Sequence, residues 1–220
     1  MSTEIRKAIP LRDQVYDAIL TQLRNGVYAP GERVTEERVA EDLDVSRTPV
    51  REAISQLRRN GVLTARKGGG YVVPSLSVSE VAEIFVVRKL VEPHAVYLAA
   101  AEYGEREIEA IEKSIVQEER AITIAKPDKF AAGNEAFRTA LFDGISNKTL
   151  IGVIHQFGNH LQFIRMLTLK NSAVRKGIVS RQKKIRDALV KSDGDLASDL
   201  WVEYLSFAEV CLLEAMDNRH

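Results

Sequence analysis

The sequence predicts a mainly α-helical fold in two parts, and three observations lead to this prediction. Close to the N-terminus, apolar residues recur at helical spacing in three short segments. A glycine-rich stretch, residues 66–70, then separates two short runs rich in β-branched residues. From Ser77 onward the apolar spacing is helical again, without the alternation typical of strands. We therefore expect a first domain over residues 1–74, a linker over residues 75–79 and an all-helical domain over residues 80–220.

The first two helices are indicated by apolar spacing together with end signals. Residues 11–25 have apolar side chains on one face, and Asn25-Gly26 is a typical helix end. A second, shorter helix is expected over residues 36–43. Its N-cap is Thr35, because a threonine hydroxyl accepts a hydrogen bond from an amide of the first turn.

The third helix is expected to begin after the N-cap Ser46, and its front end carries the most informative residues of the chain. One face is a stripe of apolar residues that should be buried: Val50, Ala53, Ile54 and Leu57. Arg47, Thr48 and Arg51 lie off this stripe, near the positive end of the helix dipole. Donors there suit phosphate oxygens, and an arginine can also bridge two acceptors on a guanine edge. The segment therefore predicts a helix that enters a DNA groove.

A β-hairpin is expected to follow, with strands over residues 62–65 and 71–73. Its tip, residues 66–70, reads Arg-Lys-Gly-Gly-Gly and is therefore flexible and positively charged. Backbone without side chains can approach a duplex closely. A phosphate-binding loop is not indicated, because no Gly-Lys-Ser/Thr follows the glycines and a strand comes next. Three helices followed by this hairpin predict a winged helix-turn-helix.

Charge is balanced over the whole chain but not locally. The 31 basic and 31 acidic residues give a net charge of zero, which by itself argues against a nucleic-acid partner. Residues 47–67, however, contain six basic residues and one acidic residue. This local excess is typical of a DNA-binding surface, although on charge alone a solvated basic face is an equal alternative.

The second domain is predicted to be an antiparallel bundle of α-helices. Ser77 and Glu80 form a capping box at the start of its first helix. Further helices are expected over residues 105–125, 129–144, 147–169, 171–192 and 194–217. A second basic run is expected to be a solvated helix face: Arg175, Lys176, Arg181, Lys183, Lys184 and Arg186.

Composition points to a cytoplasmic protein without disulfides or a membrane partner. No apolar run approaches the roughly 20 residues that a membrane span requires, and the N-terminus lacks the apolar core of a secretory signal. Cys211 is the only cysteine, so intrachain disulfides are excluded and a reducing compartment is expected. Because Cys211 lies in the apolar run Val-Cys-Leu-Leu, we expect a buried structural residue rather than a catalytic thiolate.

Two motifs resemble the GntR family of transcription regulators. The first domain is similar to the family's DNA-binding domain in the run Pro30-Gly31-Glu32-Arg33-Val34-x-Glu36-x-x-Val39-Ala40-Glu41-x-Leu43-x-Val45-Ser46-Arg47-Thr48-Pro49-Val50-Arg51-Glu52-Ala53. This run departs from the family pattern at Val39, where Leu is usual, and at Asp44, where Gly is usual. The second domain resembles the start of the FCD effector domain, found in the FadR-like subfamily, in the run Phe85-Val86-Val87-Arg88-x-x-Val91-Glu92-x-x-Ala95.

The resemblance implies a homodimeric repressor that binds a pseudo-palindromic operator in double-stranded DNA. Its affinity for the operator would be modulated by a small carboxylic acid. The implied DNA contacts are Arg38, Arg47 and Arg51 to bases or phosphates, Thr48 to a phosphate, and Gly69 at the wing tip in the minor groove. We expect no enzymatic activity, because an enzyme built on the bundle would need clustered carboxylates or histidines there.

No metal or other cofactor is expected in the second domain. Most FCD domains hold a metal ion with one Asp and three His, and the residues at these positions here are Asn134, Arg138, Gln182 and Tyr204. Amide, guanidinium and phenol groups do not assemble a zinc, nickel or manganese site, and a guanidinium repels a cation. The histidines lack a supporting carboxylate pattern: His94, His155, His160 and His220.

Arg138 is expected to supply the positive charge that the metal ion provides in relatives. Its guanidinium has bidentate geometry suited to the carboxylate of an effector. Arg88, at a family position that faces the same cavity, is expected to assist. The remaining pocket residues would donate hydrogen bonds to the effector: Asn134, Gln182 and Tyr204.

The alternative is a decayed pocket in which Arg138 pairs with Glu135 or Asp143 and no ligand binds. The protein would then be an effector-independent DNA-binding protein with a purely structural dimerisation domain. We favour the ligand-responsive regulator.

Overall fold

The computed structural model describes residues 9–24, 27–29, 31–59, 62–74 and 76–217, without the side chains of residues 24, 128, 158–160 and 162–167. The expected helix end at Asn25-Gly26, the side chain of His160 and all of His220 lie outside the described residues. The chain divides into two compact units, Met1–Ser75 and Leu76–His220. This division falls at the start of the segment expected to be a linker.

The described part of the first unit contains three helices, α1 (Leu11–Arg24), α2 (Glu36–Asp42) and α3 (Arg47–Arg59). Their bounds lie within one residue of the predicted ones. The apolar stripe of α3 is buried as predicted, because all four of its members are at most 1% exposed. Thr35 is also confirmed as the N-cap of α2, since its hydroxyl accepts a hydrogen bond from the amide of Arg38 at 3.3 Å.

A three-stranded antiparallel sheet completes the first unit. Its strands are β1 (Arg33–Val34), β2 (Thr64–Ala65) and β3 (Tyr71–Val72), in the order β1-β3-β2. The prediction of a two-stranded hairpin is therefore incomplete, because β1 also pairs with β3 and places Arg33 opposite Val72. A strand of two residues is too short to show alternation of polar and apolar residues, so its sequence gives no signal.

The second unit is all-helical in its described part, as predicted. Its helices are α4 (Val78–Glu102), α5 (Glu105–Thr123), α6 (Pro127–Phe142), α7 (Lys148–Thr168), α8 (Ser172–Val190) and α9 (Gly194–Asp217). The predicted bounds of α5 to α9 differ from these by no more than two residues. The capping box of α4 is confirmed: the Ser77 amide donates to Glu80 Oε2 at 2.8 Å, and the Glu80 amide donates to Ser77 Oγ at 3.2 Å.

Helices α4 and α9 pack side by side in opposite directions. Lys89 Nζ lies 2.6 Å from Glu209 Oε2 near one end. Toward the other end, Tyr97 packs so closely over Gly194 that a Cβ there would lie 2.8 Å from the tyrosine ring. Between these contacts, the fully buried Trp201 of α9 stacks on Tyr204 with ring centres 4.6 Å apart. This helix pair forms one side of the bundle core.

The expectation of a solvated face for the second basic run is wrong for part of that run. Arg175 is buried, and its Nη1 donates to the carbonyl of Leu169 at 2.6 Å. Lys183 Nζ pairs with Glu119 Oε1 of α5 at 2.6 Å. The exposed members of the run are Lys176 and Lys184. Charge spacing along one helix does not reveal which of its faces a neighbouring helix covers.

Among the described residues, no helix combines the length and the apolar character that crossing a membrane would require.

Candidate nucleic-acid interface and buried charged cavity

The N-terminal end of α3 has polar side chains on its exposed face and apolar side chains on its buried face. Arg47, Thr48 and Arg51 are exposed, while the apolar stripe on the opposite face of the helix is buried. Helix geometry produces this separation, because residues three or four positions apart share a face and the polar residues fall between them. The arrangement fixes the backbone of the helix and leaves the donors of its first turn available to an anionic partner.

Arg47 is held loosely in the free protein. Its Nη1 lies 3.1 Å from Glu37 Oε1 of α2, and 68% of its side chain is exposed. An exposed ion pair of this kind adds little stability, because water screens the two charges. Arg47 can therefore exchange Glu37 for a phosphate or a base edge at little cost.

Arg38, the contact expected from α2, is more firmly engaged. Its Nη1 lies 2.8 Å from Glu32 Oε1, and its guanidinium lies 4.8 Å from the centre of the Tyr28 ring. The pKa of Glu32 is lowered first by a hydrogen bond from the Ala29 amide and then by Arg38. Arg38 is half-exposed, so its contact with DNA stays a prediction.

The wing has the backbone geometry that its glycines were expected to allow. Gly68, Gly69 and Gly70 have φ angles of +97°, +94° and +82°, which lie in the left-handed region that favours glycine. The tip is closed by hydrogen bonds between Arg66 and Gly70 (3.1 Å) and between Gly69 and Arg66 (3.2 Å). Arg66, Lys67 and Gly69 are exposed, so the tip presents positive charge and bare backbone together.

The second unit contains a small cavity at the residues predicted to bind an effector. Its volume is about 20 Å³, room for a single water molecule. Arg88, Asn134, Arg138 and Tyr204 are among the residues that line it. Gln182 is not among the lining residues, and its Nε2 donates to a buried glutamate, Glu118, which also accepts from Asn134.

Both cavity arginines contact one buried carboxylate, that of Glu92. Arg88 donates from Nε to Glu92 Oε1 at 2.7 Å and from Nη2 to Oε2 at 3.2 Å. Arg138 Nη2 lies 3.4 Å from Oε1, and Trp201 Nε1 donates to Oε2 at 2.9 Å. Burial by itself would raise the pKa of Glu92, but the two arginines outweigh burial and lower the pKa to about 2. Glu92 is therefore ionised at neutral pH.

One hydrogen-bond donor of this cluster is left unsatisfied among the described residues. Two guanidinium groups face one carboxylate, and Arg138 Nη1 is buried without a hydrogen-bond partner in the described part of the chain. The partners expected for Arg138 in a decayed pocket were Glu135 and Asp143. Arg138 contacts Glu92, and the half-buried Glu135 adds a further negative charge that acts on Arg138, whereas Asp143 Oδ1 contacts His155 Nε2 at 2.8 Å.

A second buried carboxyl group lies between α5, α6 and α8. Glu118 Oε1 accepts hydrogen bonds from Asn134 Nδ2 at 3.4 Å and from Gln182 Nε2 at 3.1 Å. The sequence prediction had these two amides donating to an effector, whereas here they donate to Glu118. Because amides carry no charge to offset burial, the pKa of Glu118 is raised to about 8. Glu118 is therefore mostly protonated at neutral pH.

The Glu118 cluster is short of hydrogen-bond donors. Glu118 Oε2, Asn134 Oδ1 and Gln182 Oε1 are buried without a partner among the described residues. All three side chains are at most 1% exposed. Gly133 permits the close packing of α5 on α6 here, because a Cβ at this position would lie 2.8 Å from Glu118 Cγ.

The residues present do not fit the metal ion that most FCD domains hold. Arg138 stands at a ligand position, and its guanidinium is paired with Glu92. His94 stacks on Tyr97 at 6.4 Å between ring centres, and His155 is exposed. Among the described residues, no three His, Cys, Asp or Glu side chains come together to hold a metal ion.

Cys211 is less buried than expected. It is half-buried in α9 and lines the cavity together with Arg138 and Tyr204. Burial is the main cause of the raised pKa of its thiol, and a thiol that stays protonated is a poor nucleophile.

Sequence reasoning missed Glu92 and Glu118, although a signal for both was present. On α4, Arg88 and Glu92 stand in the apolar spacing that contains Phe85. On α5, Glu118 continues the spacing of Ile111 and Ile115. A charged residue in a buried stripe needs a partner from another element, so it marks a candidate site.

Comparison with known proteins places both halves of the chain in characterised groups. Residues 11–73 match the model of bacterial regulatory proteins of the gntR family, and residues 83–207 match the FCD domain. The uncharacterized HTH-type transcriptional regulator YdhC of Bacillus subtilis is 29% identical over 195 residues, covering 88% of this chain and 87% of the relative. The Uxu operon transcriptional regulator of Escherichia coli is 30% identical, covering 85% of this chain and 80% of the relative.

Solved structures have the same fold. The structure of E. coli McbR/YncC matches with a TM-score of 0.80 and 22% identity, covering 94% of this chain and 99% of that one. A putative GntR regulator from Rhodococcus sp. RHA1 matches with a TM-score of 0.76 and 20% identity, covering 92% and 97%.

Proposed function

This chain belongs to the GntR family as a DNA-binding transcriptional regulator with an FCD domain, and we propose that it is a repressor released from its operator by a small carboxylate. Among its relatives, the E. coli protein RspR, 23% identical over 93% of this chain, is named a transcriptional repressor. One observation carries the ligand part of the proposal: two buried arginines share a single carboxylate at a cavity.

The DNA contacts are assigned to exposed side chains of the first unit. Arg47 and Arg51 at the start of α3 read base edges or bind phosphates, and Thr48 binds a phosphate. Arg38 joins them by exchanging Glu32 for a phosphate. Gly69 lies in the minor groove, where its lack of a side chain permits close approach. Enzymatic activity is not part of this function.

The effector site is assigned to the cavity of the second unit. The unpaired Nη1 of the charged Arg138 side chain favours an anion, and a carboxylate matches a guanidinium in geometry. Tyr204 lines the same cavity and supplies a hydroxyl group. Asn134 and Gln182 contribute through Glu118, which both contact.

The small size of the cavity couples effector binding to a change in the packing of the helices. A volume of about 20 Å³ does not hold an organic acid, so α4, α6, α8 and α9 must separate to admit one. A ligand shifts an equilibrium only by binding one state better than the other. We assign the expanded state low affinity for the operator.

The interface of a homodimer is assigned to the exposed apolar side chains of α4. Val86, Leu90 and Tyr97 share one helix face and are 60%, 75% and 44% exposed. Large apolar side chains grouped on one face favour contact with another protein surface. A second copy of the chain is the partner that a pseudo-palindromic operator requires. Replacing Leu90 with Glu is expected to lower the dimer fraction in sedimentation experiments.

A second candidate function is an effector-independent DNA-binding protein whose helical unit only dimerises. Two observations favour it: the cavity is too small for an organic acid, and Glu92 already neutralises part of the arginine charge.

One experiment separates the two candidates. Selection from random duplexes with the full chain yields an operator, and fluorescence anisotropy then follows its release by a panel of small carboxylates. We expect at least one carboxylate to release the operator from the wild type but not from Arg138→Gln. Arg106→Gln, an exposed arginine change on α5, is the control and should behave as the wild type. Operator binding that no carboxylate weakens would establish the effector-independent function instead.

A further inference from the structure

We infer that the effector is a small zwitterion, an amino acid whose carboxylate pairs with Arg138 and whose ammonium group is held by Glu118, Asn134 and Gln182. This inference rests on the proposed effector function and narrows the class of ligand. Four observations carry it.

The first observation is the anion-binding half. Only 6% of Arg138 is exposed, and its Nη1 has no hydrogen-bond partner among the described residues. Glu92 satisfies Nη2 only, at 3.4 Å, and is shared with Arg88. An incoming carboxylate would therefore find a free donor on a charged guanidinium group.

The second observation is the cation-binding half. Glu118 is fully buried, and the side chains that contact it are the amides of Asn134 and Gln182. Two other carboxylates of α5 have basic partners of their own, because Glu119 is paired with Lys183 and Glu112 with Arg186. Glu118 consequently faces no cation of the described chain.

The third observation is a numerical match between acceptors and donors. When Glu118 is ionised, its cluster has three buried acceptor oxygens without partners among the described residues, one on each of its three side chains. An ammonium group has three donors, whereas a hydroxyl group has one. A bare metal cation would be repelled by the guanidinium groups of Arg88 and Arg138 and would bring nothing to pair with the free Arg138 Nη1. An ammonium carried by a molecule that also brings a carboxylate avoids this repulsion.

The fourth observation is that Asn134 joins the two halves. It lines the cavity together with Arg138 and also contacts Glu118. Asn134 and Arg138 are four residues apart on α6, so their Cβ atoms are about 5–6 Å apart. An amino acid is short enough to bridge side chains at this separation.

The experiment uses the full chain and three size-matched ligand sets: glycine, glycolate and acetate; alanine, lactate and propionate; aspartate, malate and succinate. Isothermal titration calorimetry measures affinity in two buffers of different ionisation enthalpy at pH 7. We expect the best amino acid to bind at least tenfold more tightly than its hydroxy and unsubstituted counterparts. Because ammonium binding ionises Glu118, we also expect the release of about one proton, which the other acids should not cause.

Variants and a chemical probe complete the test. Glu118→Gln should abolish both the preference for the amino acid and the proton release, while Glu119→Gln, at the next position on α5, should retain them. Cys211 lines the cavity and is the only cysteine, so bound amino acid should also slow its alkylation. The proton measurement needs no variant and therefore stands even if Glu118→Gln fails to fold.

Two results overturn the inference in distinguishable ways. If hydroxy or unsubstituted acids bind as tightly as amino acids, or if no proton is released, the zwitterion is excluded and the carboxylate effector stands. If no member of any set binds, the inference and the proposed effector function both fall.

Discussion

The two units place arginine and glutamate in opposite environments. In the first unit, Arg47 and Arg51 are exposed, and the Glu37 partner of Arg47 is exposed as well. In the second unit, Arg88 and Arg138 are buried and share Glu92. The exposed charges are available to a partner and contribute little to stability, whereas removing one member of the buried cluster would leave its partner charge without compensation inside the bundle. Binding and stability are therefore separable in the first unit and linked in the second.

A comparison within the second unit sharpens this lesson. Glu92 and Glu118 are both fully buried, yet the pKa of one is lowered to about 2 and that of the other is raised to about 8. Two guanidinium groups surround the first, and two neutral amides contact the second. The charge of the neighbours, and not burial itself, decides whether the carboxyl group ionises.

The largest effect is expected from Glu92→Gln. This change leaves two buried guanidinium groups without a counter-charge, so the free energy of unfolding should fall by about 3–5 kcal/mol. Urea denaturation measures it. Glu119→Gln is the matched control: its partner Lys183 is partly exposed, and the loss should stay below about 1 kcal/mol. Equal losses in the two variants would contradict the distinction between buried and exposed charges.

The next effect is a pH dependence that arises from Glu118. The folded-state pKa of about 8 lies above the unfolded value near 4.5, so the folded state binds the extra proton between these pH values. The stability that this proton contributes is present below pH 4.5 and is lost as the pH rises through 8. Each unit of pKa difference is worth about 1.4 kcal/mol, which makes the total a few kcal/mol.

Glu118→Gln should remove this dependence. Denaturation series between pH 5 and pH 9 would then show the stability of the variant rising relative to the wild type over this range. Parallel curves for the two proteins would mean that Glu118 is ionised throughout and that its neighbours compensate its charge.

A smaller effect is expected on DNA binding. Arg47→Ala and Arg51→Ala should each weaken specific binding by about 1–3 kcal/mol and leave the free energy of unfolding unchanged. Fluorescence anisotropy with the selected operator measures the first quantity and urea denaturation the second. Arg12→Ala, an exposed change on α1, is the control and should retain operator affinity. Unchanged affinity in both test variants would refute the assignment of α3 as the DNA-contacting helix.

The smallest effect is expected from Lys113→Ala. Lys113 Nζ pairs with Glu109 Oε1 at 2.9 Å on the surface of α5, with 72% and 66% of the two side chains exposed. Solvent screens this pair, so the urea midpoint should not move measurably. A shift as large as that of Glu92→Gln would remove the contrast between the two environments.

Most of the fold followed from local patterns. The bounds of α3 and its buried stripe were predictable because the spacing of Val50, Ala53, Ile54 and Leu57 allows a single buried face. The wing was predictable because three successive glycines meet a need for positive φ. Strand β1 was not, because two residues carry no periodic pattern and their pairing depends on β3, nearly forty positions later.

The candidate effector site was predicted only in part. Arg88, Asn134, Arg138 and Tyr204 do line one cavity, in agreement with the family pattern of positions. The hydrogen-bonded partner of Arg138 was missed, because the expected carboxylates were close in sequence whereas Glu92 lies 46 positions away. Glu118 lies 64 positions from Gln182. The local sequence around Arg138 or around Gln182 does not indicate which residue of another helix will contact that side chain.

By itself, the sequence determined which segments are helical, where they begin and end, and which arginines stay on the surface of the first unit. These outcomes depend on residues within one or two turns of each other, whose geometry the helix period sets. Only the tertiary structure decided that Glu92 is ionised, that Glu118 is mostly protonated at neutral pH, and that the cavity lined by Arg88 and Arg138 has almost no free volume. Protonation and volume depend on the distances between helices, because the energy of a buried charge is set by the groups packed against it.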